Sequence, residues 1–243
     1  MARYGLSAAI LSSLPQEDAL AAIAQIGLSA VELNAGASGS GDWKAGPAAM
    51  RRALERAGLE AWSVHCPAAG CNLADPHEHA RLSAVEATRA CLGLSRDVGA
   101  NLVVCHCNAP KATFLADDYD ASLARTRRSL EALAEEADGV GIRLAVETMI
   151  PRPDKRPGQR VRELLSLIDG LGDHVGVCID TGHSHAGGAK VADEVLEADK
   201  RLFSLHINDS HGRFNDDEHL LPGDGTIDWP AFLAALEHVG FAS

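Results

Sequence analysis

The sequence predicts an α/β fold, a (β/α)8 TIM barrel interrupted before its eighth strand is complete, with residues 1–243 forming one domain. Three observations predict it. A helix-to-strand junction built on glycine recurs six times, at Gly27, Gly58, Gly99, Gly141, Gly172 and Gly240; glycine suits the position just past a helix end because it takes φ > 0 without a Cβ penalty. The segments between junctions carry helical periodicity, as in Val161, Leu164, Leu165 and Ile168, or Leu123, Leu130, Leu133 and Ala137, which gives each helix one apolar face to lay on a sheet. The strands are near-continuous apolar runs of the kind covered on both faces.

In chain order, the first strand is expected over Tyr4–Leu11. The Ser-Ser-Leu-Pro that follows offers no glycine-rich phosphate loop, which disfavours an open dinucleotide-binding sheet and favours the barrel. Further strands are expected over Ala30–Ala35, Leu59–Pro67, Asn101–Cys107, Ile142–Met149, Val175–Thr181 and Leu202–Asn208, each after a glycine junction or a short helix. Strand then helix, seven times over, implies parallel strands with right-handed crossovers. Asp228 is placed to cap a last helix over Trp229–His238, with Pro230 tolerated in its first turn. The final junction, Val239-Gly240-Phe241-Ala242-Ser243, opens an eighth strand and the sequence stops there. That pattern predicts a fragment or an incomplete gene product, since a missing strand leaves two edges open.

Composition narrows the function classes. The 22 Lys and Arg stand against 34 Asp and Glu, a formal charge of −12, so the overall field disfavours nucleic acid. No apolar stretch approaches the roughly 18 residues that cross a bilayer, and the opening segment lacks a secretory pattern; the chain reads as cytoplasmic. Its six cysteines are expected to be reduced thiols, buried as small apolar residues in strands.

Candidate chemistry stands at the ends of five successive strands: His65 in WSVHCP, His106 in LVVCHC, Glu147 in LAVET, Asp180 in VCIDTGH and His206 in FSLHIND. Their separations of 41, 41, 33 and 26 residues are each about one β/α unit, so in a barrel all five aim at the mouth where such folds place their sites. Carboxylates converging with imidazoles call for a cation, and the mixed N/O set suits Zn2+, Mn2+ or Co2+. His183, Asp217 and His219 lie in the loops directly after these strands; they are candidates for a second or third ion, or for substrate hydroxyls. His174, His185, His211 and His238 show no such coherence, although His211 follows His206 closely. Lys111 and Arg213 are the basic residues near the mouth that could hold a phosphate.

The stretches LAVET, VGVCIDTGHSH, LHINDSHG and H-x-x-PGDGTIDW, in this order and at these strand ends, resemble the xylose-isomerase-like barrel superfamily, specifically its sugar phosphate isomerase/epimerase group. The resemblance implies that Glu147, Asp180 and His206 hold one divalent metal with a fourth ligand, a Glu on the eighth strand. It implies proton transfer next to a carbonyl through an enediolate, with Glu147 one of the two carboxylates that move the proton and His183 contacting substrate oxygens. The implied partner is a small sugar or sugar phosphate, not nucleic acid or a membrane, in a chain open to homo-oligomer formation. Two alternatives remain. His65, His106, Glu147, Asp180, His183, His206, Asp217 and His219 also match the ligand pattern of the endonuclease IV branch, which cleaves DNA at abasic sites with zinc, and Asp42-Trp43-Lys44-Ala45-Gly46-Pro47 faintly resembles its DNA-contacting loop. Against that branch stand the net charge, only 10 aromatics and no Lys/Arg run near the mouth. The other alternative is a metal-binding barrel without catalysis.

Overall fold

Seven strands pair side by side in sequence order, β1 to β7, and every pair is parallel. The computed structural model describes residues 4–36, 46–109 and 118–241. Within them the strands are β1 Gly5–Ser7, β2 Ala30–Asn34, β3 Glu60–His65, β4 Leu102–His106, β5 Arg143–Glu147, β6 Val175–Asp180 and β7 Leu202–His206. The helices are α1 Gln16–Gln25, α2 Pro47–Ala57, α3 Glu78–Val98, α4 Tyr119–Val140, α5 Val161–Ile168, α6 Thr181–Ala186, α7 Val191–Ala198 and α8 Trp229–Val239.

The sheet is curled. In a flat sheet β2 and β7 would stand about 24 Å apart at ~4.8 Å per strand, yet the side chains of Glu32 and His206 meet at 3.1 Å. The strands therefore form a barrel wall with the helices outside. Alternation along each strand divides the side chains between two environments. Leu102 and Val104 of β4 pack with Ala145, Cys178 and Phe203 in a small interior cluster, whereas Val103, Leu144, Val146, Val177 and Ile179 join the larger core beneath the helices.

Four of the six glycine junctions act as the sequence implies; Gly27 takes positive φ one residue past the α1 cap Ile26, and Gly172 lies in the turn beyond α5, whose cap is Asp169. Gly58, Gly99, Gly141 and Gly240 cap α2, α3, α4 and α8 in the left-handed conformation, where a side chain is disfavoured. Asp228 accepts from the N–H of Ala231 at 3.0 Å and caps α8. All six cysteines are free and buried.

The first expected strand is corrected. Only Gly5–Ser7 is extended, and Ala8–Leu11 turns into a 3-10 helix. Oδ1 of Asn34 accepts from Ser7 Oγ and from the Ala9 N–H, which draws the backbone off the sheet. Lys111, the run 42–45 and the last two residues of the expected eighth strand lie outside the described residues.

Candidate metal centre

His65, His106, Glu147, Asp180 and His206 are each the last residue of their strand, β3 to β7 respectively. His106, Glu147 and Asp180 follow inward positions that the small interior cluster fills with Val104, Ala145 and Cys178, so their side chains emerge one layer above that floor, at the C-terminal mouth, where His65 and His206 meet Glu147. Glu147 is the hub. Its Oε2 lies 2.9 Å from Nε2 of His65 and 3.0 Å from Nε2 of His106, and its Oε1 lies 3.0 Å from Nδ1 of His206. Ligand atoms of His65, Glu147 and His206 all fall within 4.8 Å of one another.

Asp180, His183 and His219 form a second group with the same spacing. Asp180 is both the end of β6 and the cap of α6, and its Oδ1 accepts from the His183 N–H at 2.8 Å. That single turn folds His183 back over the mouth, 3.8 Å from Oε1 of Glu147. Nδ2 of Asn208 donates to both oxygens of Asp180, at 3.1 and 2.9 Å. Asp217 completes the group, with its Oδ1 3.4 Å from Nε2 of His183 and 2.8 Å from Nδ1 of His219. The loop that delivers Asp217 and His219 is pinned at its base by Asp209, which accepts from the N–H groups of Ser210, Gly223 and Ile227 and from Nε1 of Trp229. His219 itself has φ +47, a conformation that non-glycine residues adopt mainly where surrounding structure enforces it.

Electrostatics mark the same residues. Burial raises the Glu147 carboxyl, but the His206 and His106 charges and hydrogen bonds outweigh it and hold the group well below the usual range. Burial likewise acts against the charged form of His183; Asp180, Asp217 and Glu147 prevail and lift it to about 10. His206 is pushed well above its ordinary value against burial by Cys178, Glu147 and Glu32. His106 goes the other way, because burial exceeds the pull of Glu147.

These residues fit a divalent metal. Nδ1 of His65 sits 2.7 Å from the Cys66 carbonyl and Nδ1 of His183 sits 2.8 Å from the Thr148 carbonyl. A carbonyl only accepts, so both Nδ1 atoms carry protons and each ring turns its Nε2 toward a carboxylate oxygen, Glu147 for His65 and Asp217 for His183. Each of those contacts needs positive charge between the two atoms, which a proton on Nε2 supplies in the metal-free protein and which a divalent cation can replace. Mixed imidazole and carboxylate donors suit Zn2+, Mn2+ or Co2+.

The expected site residues therefore gather in two adjoining groups, with Asp180 beside His183 and His219 and not within the triplet of Glu147, His65 and His206. His174, His185 and His211 bond instead to the Ala134 carbonyl, Thr226 and Glu218. Arg213 stands 68% exposed, 3.9 Å from Asp216 and from Glu218. Glu32 escaped the sequence reading. It is buried on β2, accepts from Ser63 Oγ at 2.9 Å and meets Nε2 of His206; the only signal was one acid flanked by the apolar Val31 and Leu33.

Known proteins share this architecture. The inosose isomerase of Bacillus subtilis is 30% identical over 119 residues, which are 46% of this chain and 42% of that protein. A probable endonuclease 4 of Mycobacterium bovis is 29% identical over 238 residues, 94% of this chain and 88% of that one. The chain spans less than two thirds of several curated relatives it matches, such as 65% of an uncharacterised Sinorhizobium fredii protein. Among solved structures, a D-tagatose 3-epimerase-like protein superposes with a TM-score of 0.86 at 22% identity, covering 98% of this chain and 87% of that one; at that identity the likeness is one of fold. The profile of the xylose isomerase-like TIM barrel family matches residues 20–243, and with seven parallel strands wound in sequence order, the chain belongs to that family.

Proposed function

We propose that this protein is a divalent-metal-dependent sugar isomerase or epimerase that moves a proton next to a carbonyl. The observation that carries the reading is Glu147, 2% exposed and facing imidazoles from three other strands at 2.9 to 3.0 Å. Glu147, His206 and His65 would hold the ion, with His106 beside them and Asp180, His183, Asp217 and His219 open to a second. A bound metal supplies Lewis acidity, polarising a carbonyl and its neighbouring hydroxyl. Glu147 stays ionised, the state a proton acceptor needs. His183, turned over the mouth by α6, is placed to touch substrate oxygens. The names of relatives and fold neighbours, an inosose isomerase and a D-tagatose 3-epimerase-like protein, support a polyhydroxylated carbonyl compound as substrate.

A second reading, cleavage of DNA at abasic sites, is favoured by one observation. The two groups adjoin through His183 and Glu147, and paired ions are a recurrent device for phosphodiester cleavage. The charge of −12 opposes it.

Incubation of manganese-, zinc- or cobalt-loaded protein with ketohexoses and inososes in deuterated water tests the choice. Loss of the proton NMR signal next to the carbonyl, abolished by chelator and by Glu147→Gln, is the expected result. Cleavage of an abasic-site duplex, steeply suppressed by salt and without any exchange, would transfer the assignment to the endonuclease reading. Tight metal with neither activity would favour a non-catalytic barrel.

A further inference from the structure

We infer that Glu32 is a positioning residue that fixes which nitrogen of His206 is offered to the metal. This rests on the metal reading above. His206 stands between two carboxylates, with Nδ1 3.0 Å from Oε1 of Glu147 and Nε2 3.1 Å from Oε2 of Glu32. A metal-binding imidazole commonly donates its other N–H to a carboxylate, which sets the tautomer and the ring plane. Glu147 belongs to the ligand triplet and Glu32 does not, so the Nε2–H of His206 donates to Glu32 and the Nδ1 lone pair is left directed into the cup.

Three further features point to a built arrangement. The β2–β3 register shifts between Val31 and Glu32, with Trp62 of β3 as the extra residue, and a bulge beside a site re-aims the side chain that follows it, which here sets Ser63 opposite Glu32. Oε2 of Glu32 is held from behind by Oγ of Ser63, itself fully buried. The His206 ring lies against the His65 ring at 5.5 Å between centroids and 26° between planes, so the imidazole is confined in its plane while Glu32 settles its protonation. A carboxylate buried without such use would be a large cost. The relay Ser63, Glu32, His206 also joins β3, β2 and β7 across the barrel mouth.

The test is zinc affinity of the full chain after chelator stripping, measured by competition with a chromophoric chelator, alongside the visible spectrum of the cobalt(II) form and the melting temperature of the metal-free protein. Glu32→Leu is expected to weaken zinc binding about 10- to 100-fold and to shift the cobalt bands. Glu32→Gln, whose amide oxygen can still accept from Nε2, is expected to retain affinity within about threefold and keep the bands. Unchanged affinity in Glu32→Leu overturns the inference alone, as does equal loss in both variants, which would make Glu32 a ligand. If Glu32→Leu does not fold, Ser63→Ala replaces it: several-fold weaker zinc supports the relay and unchanged affinity overturns it. Wild-type protein that takes up no zinc overturns both this inference and the metal reading.

Discussion

Nε2 of His183, on the single turn after β6, stands 3.4 Å from Oδ1 of Asp217 in the loop after β7. The loop is thereby drawn across the mouth, and it carries His219 with it to 2.8 Å from the same carboxylate oxygen. Two ions are the expected stoichiometry. His219 is partly exposed and outside the barrel wall, so His219→Ala should fold normally, weaken the second binding step at least tenfold and leave the first within about threefold. Calorimetric titration with zinc checks this, and an unaltered second step would remove His219 from the group.

Metal uptake at that group must expel a proton. With His183 lifted to about 10 by Asp180, Asp217 and Glu147 against the effect of burial, its ring is protonated at neutral pH, whereas a ligand needs the free lone pair. Binding is therefore expected to release protons at pH 7 and to tighten as pH rises. Titrations in buffers of different protonation enthalpy measure the release; none at all would contradict it. The same shift has a consequence for the metal-free protein. A folded value above the unfolded 6.5 contributes stability that is complete below 6.5 and lost as pH climbs toward 10, so the melting temperature should fall across that interval.

Asp209 behaves with the opposite sign. Burial raises its carboxyl, but the donors on Trp229, Gly223, Ile227 and Ser210 hold it at about 2, below the ordinary 3.8. Its contribution is present above 3.8 and lost as pH falls through about 2. The loop bearing Asp217 and His219 should loosen over that range, seen as a change in Trp229 fluorescence in a Trp43→Phe, Trp62→Phe background. An Asp209→Asn protein that shows the same acid transition would sink the assignment.

Gly182 is demanded by close approach. A Cβ there would overlap Oδ1 of Asn208, whose amide nitrogen holds Asp180. Gly182→Ala should cost about 1–3 kcal/mol and weaken metal binding with it. Stability equal to wild type would mean that Asn208 moves freely.

Much of this was legible in the chain itself. A polar residue closing an apolar run is visible without coordinates, and His65, His106, Glu147, Asp180 and His206 all stand where that cue puts them. The glycine caps were equally plain. Ala8–Leu11 fits a strand in sequence because a short apolar run has no periodicity to distinguish strand from helix, and the hydrogen bonds that turn it, donated by Ser7 and Ala9 to Oδ1 of Asn34, are tertiary. Glu32 was silent for a related reason: its partner His206 lies 174 residues away and meets it only because the sheet curls. The separation of Asp180 from the Glu147 triplet likewise depends on the α6 turn and on Asn208, neither of which spacing along the chain reveals.

The most direct measurement of the central claim is anomalous diffraction from crystals soaked in zinc or manganese. The account expects a peak in the barrel mouth within bonding distance of Glu147, His206 and His65. An empty mouth, with metal only on surface carboxylates or none anywhere, would contradict it.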